Sequence, residues 1–196
     1  MPRKKSYTEE WALDRALEVF AERGYQRTSM EAISKHLKLS RSSIYATFHS
    51  KQQLFVRALR RQPVRSRSGW EELSGPGSPR AKLVRIFEVA AGGRKALPPA
   101  LRLLIEAALG LTHREPEIAR LVDETFEDLE GGFRAAIERG QAAAEIAERV
   151  DSETAARVLL SLYVGLFPIA GHDAAGERLG AVLQQVEALL PAPART

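Results

Sequence analysis

The chain has no cysteine among its 196 residues. Disulfides, thiolate metal sites and thiol redox sensing are excluded with it. Long apolar runs are missing too. The most apolar stretch, Val158 to Gly171, is interrupted by Ser161 and Pro168. At about 14 residues it falls short of the ~20 a membrane span needs and reads as a buried helix. The first residues, MPRKKSYTEEW, are basic but carry no apolar core of a signal peptide. A soluble, cytoplasmic protein with no membrane partner is expected.

Catalytic patterns are equally scarce. The four histidines, His36, His49, His113 and His172, form no i,i+4 pair. His113 with Glu115 and Glu117 reads as a solvated turn rather than a metal site. Glu124, Glu127, Asp128 and Glu130 read as the solvated face of a helix. No Gly-x-Ser-x-Gly elbow occurs. The run Ser74-Gly75-Pro76-Gly77-Ser78-Pro79 has no Gly-Lys-Ser/Thr after it and is a linker, not a phosphate loop. No catalytic residue, metal or cofactor is expected.

What is present is an uneven distribution of charge. Residues 1–67 hold 15 Lys/Arg against 6 Asp/Glu, a net of +9. The rest hold 14 against 19, a net of −5. A basic head on an acidic body suits a polyanion partner for the head. Charge alone fits a solvated basic face equally well.

Residues 24–54, GYQRTSMEAISKHLKLSRSSIYATFHSKQQL, decide between the two. Thr28 followed by Glu31 has capping-box spacing for a first short helix. Met30, Ile33 and Leu37 fall on one face of it. After a break at Lys38-Leu39, Ser40 is a good N-cap for a second helix carrying Ile44 and Phe48. Two short helices around a tight turn form a helix-turn-helix, whose second helix enters a DNA major groove. That second helix begins polar and basic, with Ser40, Arg41, Ser42 and Ser43, and turns apolar where it meets a core.

Residues 7–59 resemble the N-terminal DNA-binding domain of TetR-type bacterial transcriptional regulators. The resemblance rests on Phe20 and Gly24, Thr28, Ile33, and above all Ser40-Arg41-Ser42-Ser43-Ile44-Tyr45 with Phe48, Lys51 and Leu54. Ser34 stands where the family often has Ala, and Lys38 where it often has Gly. A lysine in the left-handed turn position costs about 1 kcal/mol.

The resemblance implies an all-α fold. It comprises a three-helix helix-turn-helix domain over residues 1–67, including the start of a connecting helix. A larger helical effector-binding and dimerisation domain follows over 68–196. Helices are expected at about 80–91, 98–111, 116–139, 152–167 and 174–190, with Pro98 and Pro116 at first-turn positions.

Arg41, at the start of the recognition helix, can pair with guanine O6 and N7. Ser40, Ser42 and Ser43 can meet base edges or phosphates. Tyr45 either donates to a phosphate, as an aromatic there does in the family, or packs on Phe48. Thr28 sits at a helix N-terminus suited to phosphate. Lys51 matches the family's usual phosphate anchor, with His49 beside it.

Two late helices carry broad apolar stripes, broader than one neighbour needs. Either they fill a monomer's core or, as the resemblance implies, they form a four-helix dimer interface. Phe126, Leu129, Phe133, Val158, Leu159, Leu162 and Leu166 are its expected members. Gly132 and Gly165 permit close approach. For a small-molecule effector, the resemblance points to an apolar pocket among the body helices. Trp70, Phe87, Leu104, Tyr163 and Phe167 would line it, with Arg102, Glu106 and His113 as its polar groups. Arg102 can equally bridge to Glu106 at i,i+4.

The expected function is a dimeric repressor released from a palindromic DNA operator by a small molecule. A DNA-binding regulator without such an effector, or a helical enzyme or scaffold with a basic N-terminus, are the alternatives.

Overall fold

A computed structural model of the chain describes residues 7–61, 73, 75–92, 98–110, 115–170 and 176–193. Nine helices and no strands occur among the described residues. They are α1 (Glu9–Arg23), α2 (Met30–Leu37), α3 (Arg41–Phe48), α4 (Lys51–Arg60), α5 (Pro79–Ala91), α6 (Pro99–Gly110), α7 (Pro116–Ala142), α8 (Ser152–Ala170) and α9 (Glu177–Leu189). The all-α expectation holds.

Short helices are marginal in water, so capping and burial must hold the first four. Thr8, Ser29, Ser40 and Ser50 cap them, each side chain accepting a backbone N–H from the first turn. Each cap is worth about 1 kcal/mol. The cap of α2 expected at Thr28 falls one residue later, on Ser29. Thr28 is buried, and its hydroxyl donates to the Gly24 carbonyl at 2.7 Å. That bond closes the turn after α1, where Gly24 adopts φ +76°.

The inner face of α1 buries Leu13, Ala16, Leu17 and Phe20. Phe20 meets Phe55 of α4 edge-on at 4.9 Å, and Tyr25 lies 4.7 Å from Phe55. This aromatic trio, with Ile33, Leu37, Ile44, Phe48 and Leu54 buried around it, is the core against which α2 and α3 dock.

The two departures from the TetR pattern, Ser34 within α2 and Lys38 in the turn after it, meet at that turn. Lys38 is left-handed, at φ 54° and ψ 36°. The Leu39 N–H donates back to the Ser34 carbonyl at 3.1 Å, and the Ser34 hydroxyl donates to the Leu39 carbonyl at 2.5 Å. The hydroxyl that an alanine would lack thus ties down the strained turn that a glycine would relax.

The described chain divides into two compact units. Residues 1–63 group with 99–123, and 64–98 group with 124–196. The division differs from a single boundary near residue 67, because α6 packs on α1. In the first unit Arg102 of α6 donates to the Ala21 carbonyl of α1 at 2.9 Å. In the second, α5, α8 and α9 pack on one another. Phe87 of α5, Phe133 of α7 and Tyr163 of α8 form a ring cluster with centroids 5.7–5.9 Å apart.

Lys38→Gly is expected to stabilise the protein by about 0.5–1 kcal/mol. It removes a left-handed penalty of about 1–2 kcal/mol and adds back about 0.4–1 kcal/mol of unfolded-chain entropy. Ser34→Ala is expected to destabilise it by about 0.5–1.5 kcal/mol. Urea midpoints measure both, and a midpoint lowered by Lys38→Gly would contradict the assignment of strain to that residue.

Candidate nucleic-acid interface

Two residues dock the recognition helix α3. Ile44 and Phe48, one turn apart, are fully buried. Their burial leaves the adjoining flank of the helix outward. Arg41, Ser42 and Tyr45 are exposed together on it, with Tyr45 44% accessible. This patch joins a guanidinium, a short hydroxyl and a phenol within about one helical turn, a set able to contact base edges and phosphate. The two serines beside it have structural duties. Ser40 Oγ accepts from the Ser43 N–H at 3.2 Å and lies 3.0 Å from Ser42 Oγ. Ser43 is half-buried, with its hydroxyl 3.3 Å from that of Tyr7.

The C-terminal end of α3 is held tightly. The His49 N–H donates to the Tyr45 carbonyl at 2.8 Å, and the Ser50 N–H to the Phe48 carbonyl at 2.6 Å. The second bond spans two residues and closes a γ-turn with His49 at its centre, at φ 61° and ψ −42°. Such turns are rare and strained. His49 is exposed at this corner, next to the outward face of α3.

Thr28 and Lys51 are placed otherwise than expected. Buried Thr28 cannot offer its hydroxyl to a phosphate. Lys51 Nζ donates to the Tyr25 carbonyl at 2.9 Å and the Thr28 carbonyl at 3.0 Å, and lies 4.3 Å from the Tyr25 ring centre. Two of its three protons hold the turn after α1. Burial lowers the Lys51 pKa, against the upward pull of the Glu115 carboxylate. Burial first, then the charge of Glu115 and a hydrogen bond with it, push the Tyr25 phenol up to about 12. Lys51, Tyr25 and Glu115 thus form a chain from the start of α4 to the residue preceding α7.

A cavity of about 340 Å³ lies between the turn after α1 and α6, lined by Arg23, Tyr25, Gln26, Arg27, Glu106 and Leu109 among others. Of the residues expected to line an effector pocket, Trp70 and His113 lie outside the described residues. Of the other six, Glu106 alone lines this cavity. Leu104, Phe87 and Tyr163 are core, buried to within a few per cent. Phe167 is half-buried. Arg102 bonds α1, with its Nε buried and unpartnered.

The expected dimer residues divide by burial. Leu129, Phe133, Leu159 and Leu166 are buried within one chain and belong to its own core, which corrects their assignment to the interface. Phe126 and Leu162 are half-exposed, and Val158 is exposed. Val158, Leu162 and Gly165 share one outward face of α8, and a Cβ added at Gly165 would meet nothing within 4 Å.

The docked α2–α3 pair, with Arg41, Ser42 and Tyr45 displayed from a basic head, defines a helix-turn-helix DNA-binding protein. Residues 12–58 match the family model for bacterial regulatory proteins of the tetR family. The chain is 30% identical over 182 residues to the uncharacterized HTH-type transcriptional regulator YezE of Bacillus subtilis (strain 168), covering 91% of this chain and 94% of that one. The TetR family regulator CifR, in a cysteine mutant complexed with a 26 bp double-strand operator DNA, shares 28% identity. That match covers 96% of this chain and all of that one, with a TM-score of 0.75. A regulator of Saccharomonospora viridis in complex with choline has the same fold, at 22% identity over 89% of this chain and 91% of that one, with a TM-score of 0.70. The chain belongs to the TetR family. It is a DNA-binding transcriptional regulator, not an enzyme, and no described helix is long and apolar enough to cross a membrane.

Two substitutions separate reading from support. Arg41→Ala is expected to weaken binding to the preferred DNA sequence by about 1–3 kcal/mol and to random DNA far less. Equal losses on both duplexes would make Arg41 a phosphate contact. Lys51→Met is expected to lower stability by about 1–2 kcal/mol, since it removes two charge-assisted bonds to carbonyls. The salt dependence of DNA binding should stay unchanged. A slope reduced by about one per half-site would return Lys51 to the DNA surface.

Proposed function

We propose that the protein is a homodimeric repressor, released from a palindromic operator by a reversibly bound small molecule. The observation that carries the DNA half of this reading is the outward face of α3, with Arg41, Ser42 and Tyr45 displayed over buried Ile44 and Phe48. A single head offers one eight-residue reading helix, so paired heads on two half-sites give the affinity and spacing that an operator requires. The functional division remains a DNA-binding head over residues 1–67 and an effector and dimerisation body over 68–196. The protein acts in the cytoplasm, where the chromosome is.

Support for a dimer comes from the second unit. The outward apolar face of Val158, Leu162 and Gly165 on α8, together with half-exposed Phe126 on α7, suits helix-on-helix packing with a second copy. Absence of cysteine leaves a thiol switch unavailable, so release requires reversible binding. The same fold holds choline in the Saccharomonospora regulator, and the aromatic content of the body favours a small, mildly apolar effector. Such a molecule acts only if it binds the DNA-incompetent arrangement better, and DNA must then weaken its binding in return. Within the first unit, the bonds Glu115–Tyr25 and Arg102–Ala21 join α7 and α6 to the end of α1. They give a movement of α7 a route to the head.

Sequence selection from random duplex DNA should return an inverted repeat bound by two chains. A non-palindromic preference bound one to one would overturn the reading. Leu162→Glu places a carboxylate in the proposed seam, where its desolvation is costly. It should yield a folded monomer by sedimentation, with operator affinity greatly reduced. A folded Leu162→Glu dimer would place the seam elsewhere. Compounds that raise the melting temperature should also release the selected duplex, and stabilisers that never release it would exclude an inducer.

A further inference from the structure

Packing alone leaves the recognition helix underdetermined. Its two buried apolar anchors, Ile44 and Phe48, lie on a single line along α3, and the third buried residue, Thr47, is polar. Hydrophobic burial is non-directional, so a helix seated on one line of side chains can roll about it with little loss. Roll is the motion that would carry Arg41, Ser42 and Tyr45 across the base edges. Directional bonds to the flanks of α3 are needed to stop it.

The structure has such bonds, supplied by residues outside the outward face. Tyr7, just ahead of α1, places its hydroxyl 3.3 Å from both Ser43 Oγ and Thr47 Oγ1, two residues one turn apart on the side of α3. Thr47 donates its own proton to the Ser43 carbonyl at 3.1 Å. Tyr7 must therefore donate to Thr47, which leaves the Ser43 proton for the Tyr7 oxygen. At the end of α3, Arg57 of α4 donates from Nη1 to the Thr47 carbonyl at 3.2 Å, and its guanidinium lies 5.1 Å from the Phe48 ring centre. Its other terminal nitrogen pairs with Glu9 in the first turn of α1. A cation bonded to a final helix carbonyl also favours the helix dipole.

We propose that this strap, Tyr7–Ser43/Thr47–Arg57–Glu9, fixes the roll of the recognition helix, and that Arg57 and Tyr7 are positioning residues for sequence discrimination. They set which base edges Arg41, Ser42 and Tyr45 meet without contacting DNA. The inference rests on the DNA-binding head alone and is independent of dimer release by an effector.

The test uses the full chain and the duplex it selects from random DNA, beside a scrambled duplex of equal length. Affinities for both are measured over a range of salt for the parent protein and for Tyr7→Phe, Glu9→Gln, Arg57→Lys and Arg57→Met. Melting curves confirm that each is folded. Tyr7→Phe and Arg57→Met should each reduce the ratio of selected to scrambled affinity by roughly tenfold, on the scale of one base contact. Scrambled affinity and its salt slope should stay near the parent values. Glu9→Gln should lower the ratio in the same direction, and Arg57→Lys should recover part of it. Selection repeated with Tyr7→Phe should return a broader preference at the pairs facing α3. Should Arg57→Met not fold, Tyr7→Phe, which removes one oxygen, carries the test. Equal losses on both duplexes with a lowered salt slope would make Arg57 a phosphate contact and overturn the proposal. An unchanged ratio in folded Tyr7→Phe would overturn it as well. If the chain selects no sequence at all, there is no discrimination for the strap to set, and the proposal is overturned together with the operator reading.

Discussion

Burial of Ile44 and Phe48 is the constraint on which the head depends. An eight-residue helix does not persist alone in water. Its existence requires a surface to dock on, and that surface is the core of Phe20, Phe55 and Leu54 with Ile33 and Leu37. Because α3 is short, its docked residues and its reading residues share the same two turns. A change at an apolar anchor therefore acts on DNA binding as well as on stability.

Polar groups in the head serve mainly to complete turns. The short connections between α1, α2, α3 and α4 leave backbone carbonyls that water reaches poorly. Lys51 satisfies two, Thr28 one, Ser34 one and Arg57 one. Two of these residues, Thr28 and Lys51, were expected at the phosphates. The residue types were read correctly as hydrogen-bonding groups, but a hydroxyl or ammonium suited to a phosphate oxygen is equally suited to a carbonyl. Sequence spacing does not distinguish the two; burial does, and burial depends on how the turns close.

Legibility followed periodicity. The long helices were bounded to within a few residues because α7 and α8 repeat their apolar positions over many turns. Ile44 and Phe48 were legible as anchors for the same reason, as was Ser40 as a cap. The pairing of Tyr7 with Ser43 spans 36 positions and that of Arg57 with Glu9 spans 48, so no local pattern announces either. The positive φ of His49 was invisible because the residue type gives no sign of it. The stripes of α7 and α8 were broad enough for a core and a seam together. Buried Leu159 and Leu166 belong to the core, while Val158 and Leu162 remain on the outside. Stripe width revealed that both faces were apolar, but not which positions turned inward.

The two departures from the family pattern show how a local strain is retained. Lys38 in place of glycine forces a left-handed residue into the turn, at a cost of about 1–2 kcal/mol. Ser34 in place of alanine supplies a hydroxyl to the Leu39 carbonyl across that turn, a bond worth about 0.5–1.5 kcal/mol. The two effects are of the same size and opposite sign, and they act on the same three-residue connection. What the family commonly achieves with a flexible residue, this chain achieves with a strained one held by a hydrogen bond. The connection is then stiffer in the unfolded chain as well, because lysine has fewer backbone states than glycine. The Ser34 hydroxyl thereby adds a second tie, beside the Leu39 N–H bond, between α2 and the connection that leads to the reading helix.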